Sequence, residues 1–304
     1  MKQACPYQVS SQTITDLCIV IVNYNGQRLL ERLLPSIREN YLKTTHFSIE
    51  VMVVDNGSAD HSVAYLKKQS WVRLIESPVN GGFAYGNNLA LNKINSRYVL
   101  LLNSDTEIPA VNGKLDQLID YLDEHERVAV ITPHVLLGDG QTDMACHRGE
   151  PTPWAALTYL LGFERLFPHS RCLAQYHQGW KNRQEIHTID ACTGAAMMVR
   201  QLAIEQVGLL DERFFMYAED IDWCRRFREA GYTVVFYPGV TVIHHKFKSG
   251  IDGNDTIIRS ASRNWFYDTM LQYYDKYHGK HHPSFFRSIL RLYIRIKCRE
   301  PIGK

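Results

Sequence analysis

Apolar runs alternate with helically spaced apolar residues through the first third of the chain. Leu17 to Val22 and Val99 to Leu102 have no polar residue, and Ile49 to Val54 is apolar apart from Glu50. Such runs predict strands buried on both faces, as in a parallel sheet covered by helices. Each stops abruptly, at Asn23-Tyr24-Asn25-Gly26, Asp55-Asn56-Gly57-Ser58 and Asn103-Ser104-Asp105. Between the first two runs, Leu29, Leu30, Leu33, Leu34 and Ile37 take helical spacing, and Pro35 predicts a kink or an early end. Val63 and Leu66 mark a second helix and Val72 to Ile75 a short strand. The glycine-rich stretch Asn80 to Asn88 leads into a third helix through Leu89 and Leu91. Strands alternating with helices at short connections predict an α/β fold on a mostly parallel, doubly wound sheet.

A helix around Leu115 to Leu122 and a strand around Val128 to Ile131 come next. From Leu136 to His187 the periodicity fades, which suits a functional or flexible loop. Ala195 to Val199 reads as a strand. In Phe214 to Ala230, Trp223, Phe227 and Ala230 recur at helical spacing, with Gly231 placed to close the helix. Tyr232 to Tyr237 and Val240 to Ile243 are two further apolar segments. The end of the chain is basic: Lys276 to Lys304 holds eight Lys or Arg against one acid, Glu300. Arg287, Arg291 and Arg295 lie four apart, interleaved with Phe285, Phe286, Ile289, Leu290, Leu292, Tyr293, Ile294 and Ile296. That pattern suits a helix lying on an anionic membrane surface, or one packed on the protein with a solvated basic face. The chain divides into an N-terminal extension (1–15), an α/β domain (16–250) and a basic helical extension (251–304).

Composition narrows the function classes. With 304 residues, 45% hydrophobic and 22% charged, the chain is ordinary globular protein. A net charge of +2 gives no argument for nucleic acid. Seven cysteines without a Cys-x-x-Cys pair indicate neither a zinc knuckle nor a disulfide framework, and a reducing cytosol is the simpler setting. The N-terminal residues lack the apolar core of a signal peptide, and Trp154 to Phe163 is too short to span a bilayer.

Candidate chemistry sits at the strand ends, where ligands of open α/β sheets bind. Asp55 and Asp105 would be two carboxylates at one sheet edge, one for a nucleoside and one for a metal-bound diphosphate. Each also suits a turn or a helix cap. Gly81 and Gly82 would let backbone N–H groups wrap a phosphate, although neither Gly-x-Gly-x-x-Gly nor Gly-Lys-Ser/Thr occurs. Glu219, Asp220 and Asp222 fall in a first helical turn after Phe214-Phe215-Met216-Tyr217. An acid there stays ionised, as a general base must, and the aromatic residues could wall off water. His244-His245 follows a strand and could supply a metal ligand.

Taken together, these stretches resemble the family 2 inverting glycosyltransferases with the GT-A fold. The nearest likeness is to the rhamnosyltransferase-like branch that builds bacterial surface polysaccharides. The matching motifs are Ile21 to Asn25, Val54 to Ser58, Asn80 to Ala84 with Gly86-Asn87-Asn88, and Leu102 to Asp105. Further on come Thr193-Gly194-Ala195, Gly208 with Asp211 to Phe215, Glu219 to Asp222, and His244 with Ser249. The resemblance covers Asp16 to Gly250. It implies an enzyme moving a sugar from a nucleotide-diphosphate donor, such as dTDP-rhamnose, to a glycan or polyprenyl-linked acceptor, with Mg²⁺ or Mn²⁺ as cofactor. Asn23, Asp55, Gly82, Asn87, Asn103 and Asp105 would serve the donor, Asp105 and His244 the metal, and Asp220 would be the catalytic base. Asn103 stands where the broader fold has an Asp. Glu219, Arg148 and Trp154 are acceptor-side candidates, and His177 could contact sugar or diphosphate. The expected location is the cytoplasm, peripheral on the inner face of the membrane. A non-catalytic nucleotide-sugar-binding scaffold is the competing reading, which loss of the acid at 105 or 220 would favour. Both acids are present. A nucleotidyltransferase would need a basic glycine-rich loop after the first strand, and only Arg28 is near.

Overall fold

The computed structural model describes residues 14–111, 114–246, 256–280 and 284–299. Strand β1 (Thr15–Asn23) leads to helix α1 (Gln27–Ile37), and β2 (Ile49–Asn56) to the short α2 (Ser62–Leu66). β3 (Arg73–Ser77), α3 (Gly82–Leu91) and β4 (Ser96–Leu102) follow, then β5 (Thr106–Glu107), α4 (Asp116–Glu124) and β6 (Val128–Leu137). The aperiodic segment contains α5 (Pro153–Leu160) and α6 (Phe163–Leu166). Next come β7 (His187–Ile189), β8 (Ala196–Arg200), α7 (Gln201–Val207), α8 (Glu219–Glu229) and β9 (Thr233–His244). Helices α9 (Thr256–Tyr277) and α10 (Ser284–Arg299) end the described chain.

Among the described residues the sheet has nine strands in the order β3-β2-β1-β4-β8-β6-β9-β5, with β7 also on β9. β1 to β4 are parallel, and β6 and β9 pair parallel to each other. The predicted doubly wound, mostly parallel sheet is therefore present. One departure positions the site: β8 runs antiparallel between β4 and β6. It brings its own N-terminal end to the edge where β1, β2 and β4 end. The apolar runs form the core; Cys18 to Ile21, Met52 to Val54, and Val99 and Leu100 have no exposure. Burial on both faces is what unalternated strands require.

Two local readings need correction. Pro35 does not end α1, which continues to Ile37 and then widens into a π-helical turn, Arg38–Leu42. The missing proline N–H is absorbed by this change of helical pitch. Tyr232 to Tyr237 and Val240 to Ile243 belong to one strand, β9, whose pairing with β6 jumps from Pro133↔Tyr237 to His134↔Thr241. Pro238, which has no N–H to give the ladder, lies in that irregularity. Glu219, Asp220 and Asp222 do fall in a first helical turn: α8 starts at Glu219, after Tyr217 and Ala218 in left-handed conformation (φ 72° and 66°). Gly231 does close α8, with φ +89°, and the N–H groups of Gly231 and Tyr232 donate to the carbonyls of Arg228 and Phe227.

The boundary expected at 250/251 lies outside the described residues, as do Ser249 and most of the 1–15 extension. Helix α9 is fixed to the α/β domain by buried charge. Asp222, with no exposure, accepts from Arg226 Nε (2.9 Å), Tyr277 Oη (2.6 Å) and Lys276 Nζ. Removing one partner of such a network leaves buried cations uncompensated. Asp222→Ala should therefore lower unfolding free energy by about 3–5 kcal/mol, measured by urea denaturation. A loss near zero would show that α9 is held by its apolar contacts alone.

Candidate active site

The cleft follows from the topology. β4 ends at Leu102, and Asn103 N–H donates to Ala195 O (3.0 Å) just ahead of β8. The chain then crosses to form β5 beside the end of β9, where Thr106 pairs with His244 and His245 N–H donates to Asp105 O (2.9 Å). Asn103, Ser104, Asp105, Gly194, Asp220 and His244 thus line one cleft of roughly 1670 Å³, together with Asn56, Asn80, Gly82, Arg148 and Glu219.

Asp220 is 8% exposed and held at three points. Oδ2 accepts from Arg148 Nη2 (2.6 Å) and from Gly194 N–H (3.2 Å), and Oδ1 accepts from Ile221 N–H (2.8 Å). A carboxylate offers about four lone-pair sites, so one is left for a hydroxyl in the cleft. Arg148 also donates to Cys192 O (2.8 Å), which fixes its guanidinium. Glu219, 6% exposed, makes no hydrogen bond through Oε2 within the described protein. Burial, and then the neighbouring Asp220 charge, push its pKa well above the ordinary glutamate range. Glu219 is thus held toward its neutral form, while the neighbouring Asp220 carboxylate lies against the Arg148 cation.

The metal candidates meet as well. Asp105 Oδ1 lies 3.2 Å from His244 Nε2, and Asp143 Oδ2 lies 2.9 Å from His244 Nδ1. Burial alone would lower the His244 pKa; hydrogen bonds to Asp105 and Asp143 outweigh it and raise the pKa to about 9. Burial would raise the Asp143 pKa, but His244, Lys246 (3.1 Å) and Ala145 N–H hold its carboxyl well below the usual range. Among the described residues no group of three or more His, Cys, Asp or Glu is arranged to hold a metal. Asp105 and His244 could supply a carboxylate and an imidazole to a divalent cation only once His244 Nε2 has given up the proton that the two carboxylates favour. Asp143, on the other ring nitrogen, fixes the orientation of the His244 imidazole. Sequence reasoning missed it. It reads as a turn residue and does cap a 3₁₀ turn (Met144–Cys146), and its partner lies 101 positions away. His245 turns aside to Glu107 (2.8 Å).

Other candidates lie beneath or outside the cleft. Asn23 and Asp55 are buried against each other (Nδ2 to Oδ1, 3.0 Å), and Asp55 Oδ2 accepts from Ser58 N–H (2.9 Å). Neither is among the lining residues; Asn25 and Asn56 are. Asn87 donates to Phe83 O (2.9 Å) inside α3 and stays off the cleft wall. The next residue, Asn88, holds α3 to the segment before Phe214 through Leu210 and Glu212. His177 faces Glu164 (3.1 Å) instead of the cleft. Trp154 stands at the rim, 46% exposed, donating to Cys172 O (2.9 Å).

Residues 18–204, more than half of the chain, match the profile described as glycosyl transferase family 2. The chain belongs to that family. It is 26% identical over 243 residues to the low-salt glycan biosynthesis hexosyltransferase Agl10 of Haloferax volcanii, covering 79% of this chain and 70% of that protein. It is 27% identical over 245 residues, 77% of each chain, to the N-acetylglucosaminyl-diphospho-decaprenol L-rhamnosyltransferase of Mycobacterium tuberculosis. The fold resembles that of GalNAc-T7, solved with UDP, GalNAc and Mn²⁺, at a TM-score of 0.61 and 14% identity. That match covers 96% of this chain but 53% of the other, so this glycosyltransferase spans about half its length. The likeness shows the GT-A fold.

Gly82 contributes by absence of a side chain. It has φ +89°, and a Cβ there would sit 2.2 Å from Phe215 O, which accepts from Phe83 N–H (2.9 Å). Gly82 thus seats the segment that delivers Glu219 and Asp220. Gly82→Ala should cost about 1–3 kcal/mol of stability and lower turnover together. Wild-type melting temperature and kcat in the variant would refute that role.

Proposed function

We propose that this enzyme is an inverting hexosyltransferase. It takes a sugar from a nucleoside-diphosphate donor, dTDP-rhamnose being the first to test, and attaches it to a glycan or polyprenyl-linked acceptor of the cell surface. The single observation that carries the reading is the meeting of Asp220 with the Asp105–His244 pair across one cleft. The names of the hexosyltransferase and rhamnosyltransferase relatives support the substrate class.

In this mechanism Asp220 takes the proton of the attacking acceptor hydroxyl through its remaining lone pair. Arg148 and Gly194 N–H hold the carboxylate in place and keep it from turning away. Glu219, held toward its neutral form, can donate a hydrogen bond to the acceptor sugar. Asn56 and Asn80, joined at 3.0 Å, shape the glycine-rich wall toward the donor, and Asp55 steadies the floor through Asn23 and Ser58. Asp105 and His244 would hold Mg²⁺ or Mn²⁺, with Asp143 orienting the imidazole. A cation there would supply charge stabilisation for the departing diphosphate. Phe215, Met216 and Tyr217 line the cleft beside Trp265 and Phe266 and exclude water from the reacting centre. The apolar residues 290 and 293 of α10 reach the same cleft.

Asp220→Asn should keep donor binding and cut turnover by about 10²–10⁴-fold, since the amide keeps the shape but cannot take the proton. Turnover near wild type would sink the assignment of the base. Asp105→Ala should weaken donor binding in Mn²⁺ and remove the difference that a chelator makes to wild type. Calorimetry showing unchanged donor affinity, still sensitive to chelator, would refute the role of Asp105.

A further inference from the structure

Large apolar side chains are exposed at 14 described positions, and seven of these fall between Trp154 and Phe167. Scattered exposed apolar residues are ordinary; a contiguous group marks an interaction surface. Here α5, the left-handed Gly162 (φ +77°) and α6 form a turn-linked ridge. Leu161, Leu166 and Phe167 are 58%, 69% and 53% exposed on it. The local charge is one-sided. From Pro151 to Gln184 the only acid is Glu164, against Arg165, Arg171, Lys181 and Arg183. Glu164 is buried and accepts from His177, whereas Arg165 and Arg171 are exposed beside the apolar tip.

α10, which lines the same cleft, presents Arg291, Leu292 and Arg295 to solvent, while Leu290 and Tyr293 turn into the cleft that Leu157 and Leu161 also line. Arg287 is taken up by Asp275. Two elements that line one cleft therefore both carry exposed apolar residues with arginines beside them. No helix among the described residues is long and apolar enough to cross a membrane.

We infer that the ridge Trp154–Phe167 is a membrane-docking element that inserts its apolar tip into an anionic lipid surface and turns the cleft mouth toward it. Leucine and phenylalanine enter the acyl boundary, Trp154 and Tyr159 sit at headgroup depth, and Arg165, Arg171, Arg291 and Arg295 meet lipid phosphates. The charge favours this occupant over a second copy of the chain, because two such ridges would bring like charges together. Docking is independent of the transfer chemistry; only its consequence, that a lipid-linked acceptor reaches Asp220 without leaving the bilayer, rests on the function proposed above.

The test is flotation of the full chain with phosphatidylcholine vesicles, with and without phosphatidylglycerol. Wild type should float with the anionic vesicles and be released only in part by high salt, because apolar burial is not screened. The double variant Leu166→Gln with Phe167→Gln, neither residue lining the cleft, should lose vesicle binding by about tenfold or more and keep its melting temperature and donor affinity. Equal flotation of variant and wild type, or no flotation of wild type, would overturn the inference. Complete release by salt would also overturn it, as would a wild-type dimer that the variant splits while flotation is unchanged. Intact flotation without transfer activity would count against the reaction alone.

Discussion

The buried pair of Arg148 and Asp220 is the contact on which the cleft depends. Each side chain is only 11% exposed, so both ions have given up most of their hydration. Such a pair holds only when its remaining hydrogen-bonding capacity is satisfied. Cys192 O takes a second bond from the guanidinium, and Gly194 and Ile221 N–H groups fill two more sites of the carboxylate. Three stretches distant in sequence therefore meet at one point: the aperiodic segment at Arg148, the entry to β8 at 192–194, and the start of α8. Burying the same pair keeps the Asp220 carboxylate fixed in the cleft wall and away from solvent.

Much of this was legible in the sequence because strand ends are written in composition. An apolar run that stops at Asn103-Ser104-Asp105 marks a strand end at the ligand edge of a parallel sheet, and that end lines the cleft. The same rule brought Asp55 to the correct edge but not to the surface, because nothing in Asp55-Asn56-Gly57 says which of two adjacent side chains points inward. Asn87 and Asn88 pose the same problem inside a helix: both are buried, one bonds its own helix and the other reaches to Leu210. Tyr217 and Ala218 were opaque for a different reason. Left-handed backbone is read from glycine or asparagine, and here a tyrosine and an alanine adopt it under tertiary constraint. Tyr217 stacks edge-on with Phe266 at 5.9 Å and Phe215 packs on Trp265 at 4.7 Å, contacts that no local pattern announces.

The acidic start of α8 divides its labour along the helix. Glu219 and Asp220 line the cleft, and Asp222, two residues on, faces away and receives Lys276 and Tyr277 of α9. The aperiodic segment repeats this spacing. Arg148 lines the cleft, and Glu150, two residues on, receives Arg225, Arg228 and Tyr273. Helix α9 therefore reaches behind both members of the Arg148–Asp220 pair, at a distance of two residues from each. A helix joined this way is not an appendage to the α/β domain. Displacing it would leave the Asp222 and Glu150 carboxylates facing Arg226, Arg225 and Arg228 without their phenolic and ammonium partners. The basic character of the terminal segment accordingly has two uses: Lys276 is drawn inward to brace the Arg148–Asp220 pair from behind, while Arg291 and Arg295 stay exposed on α10, where the docking proposed above would use them.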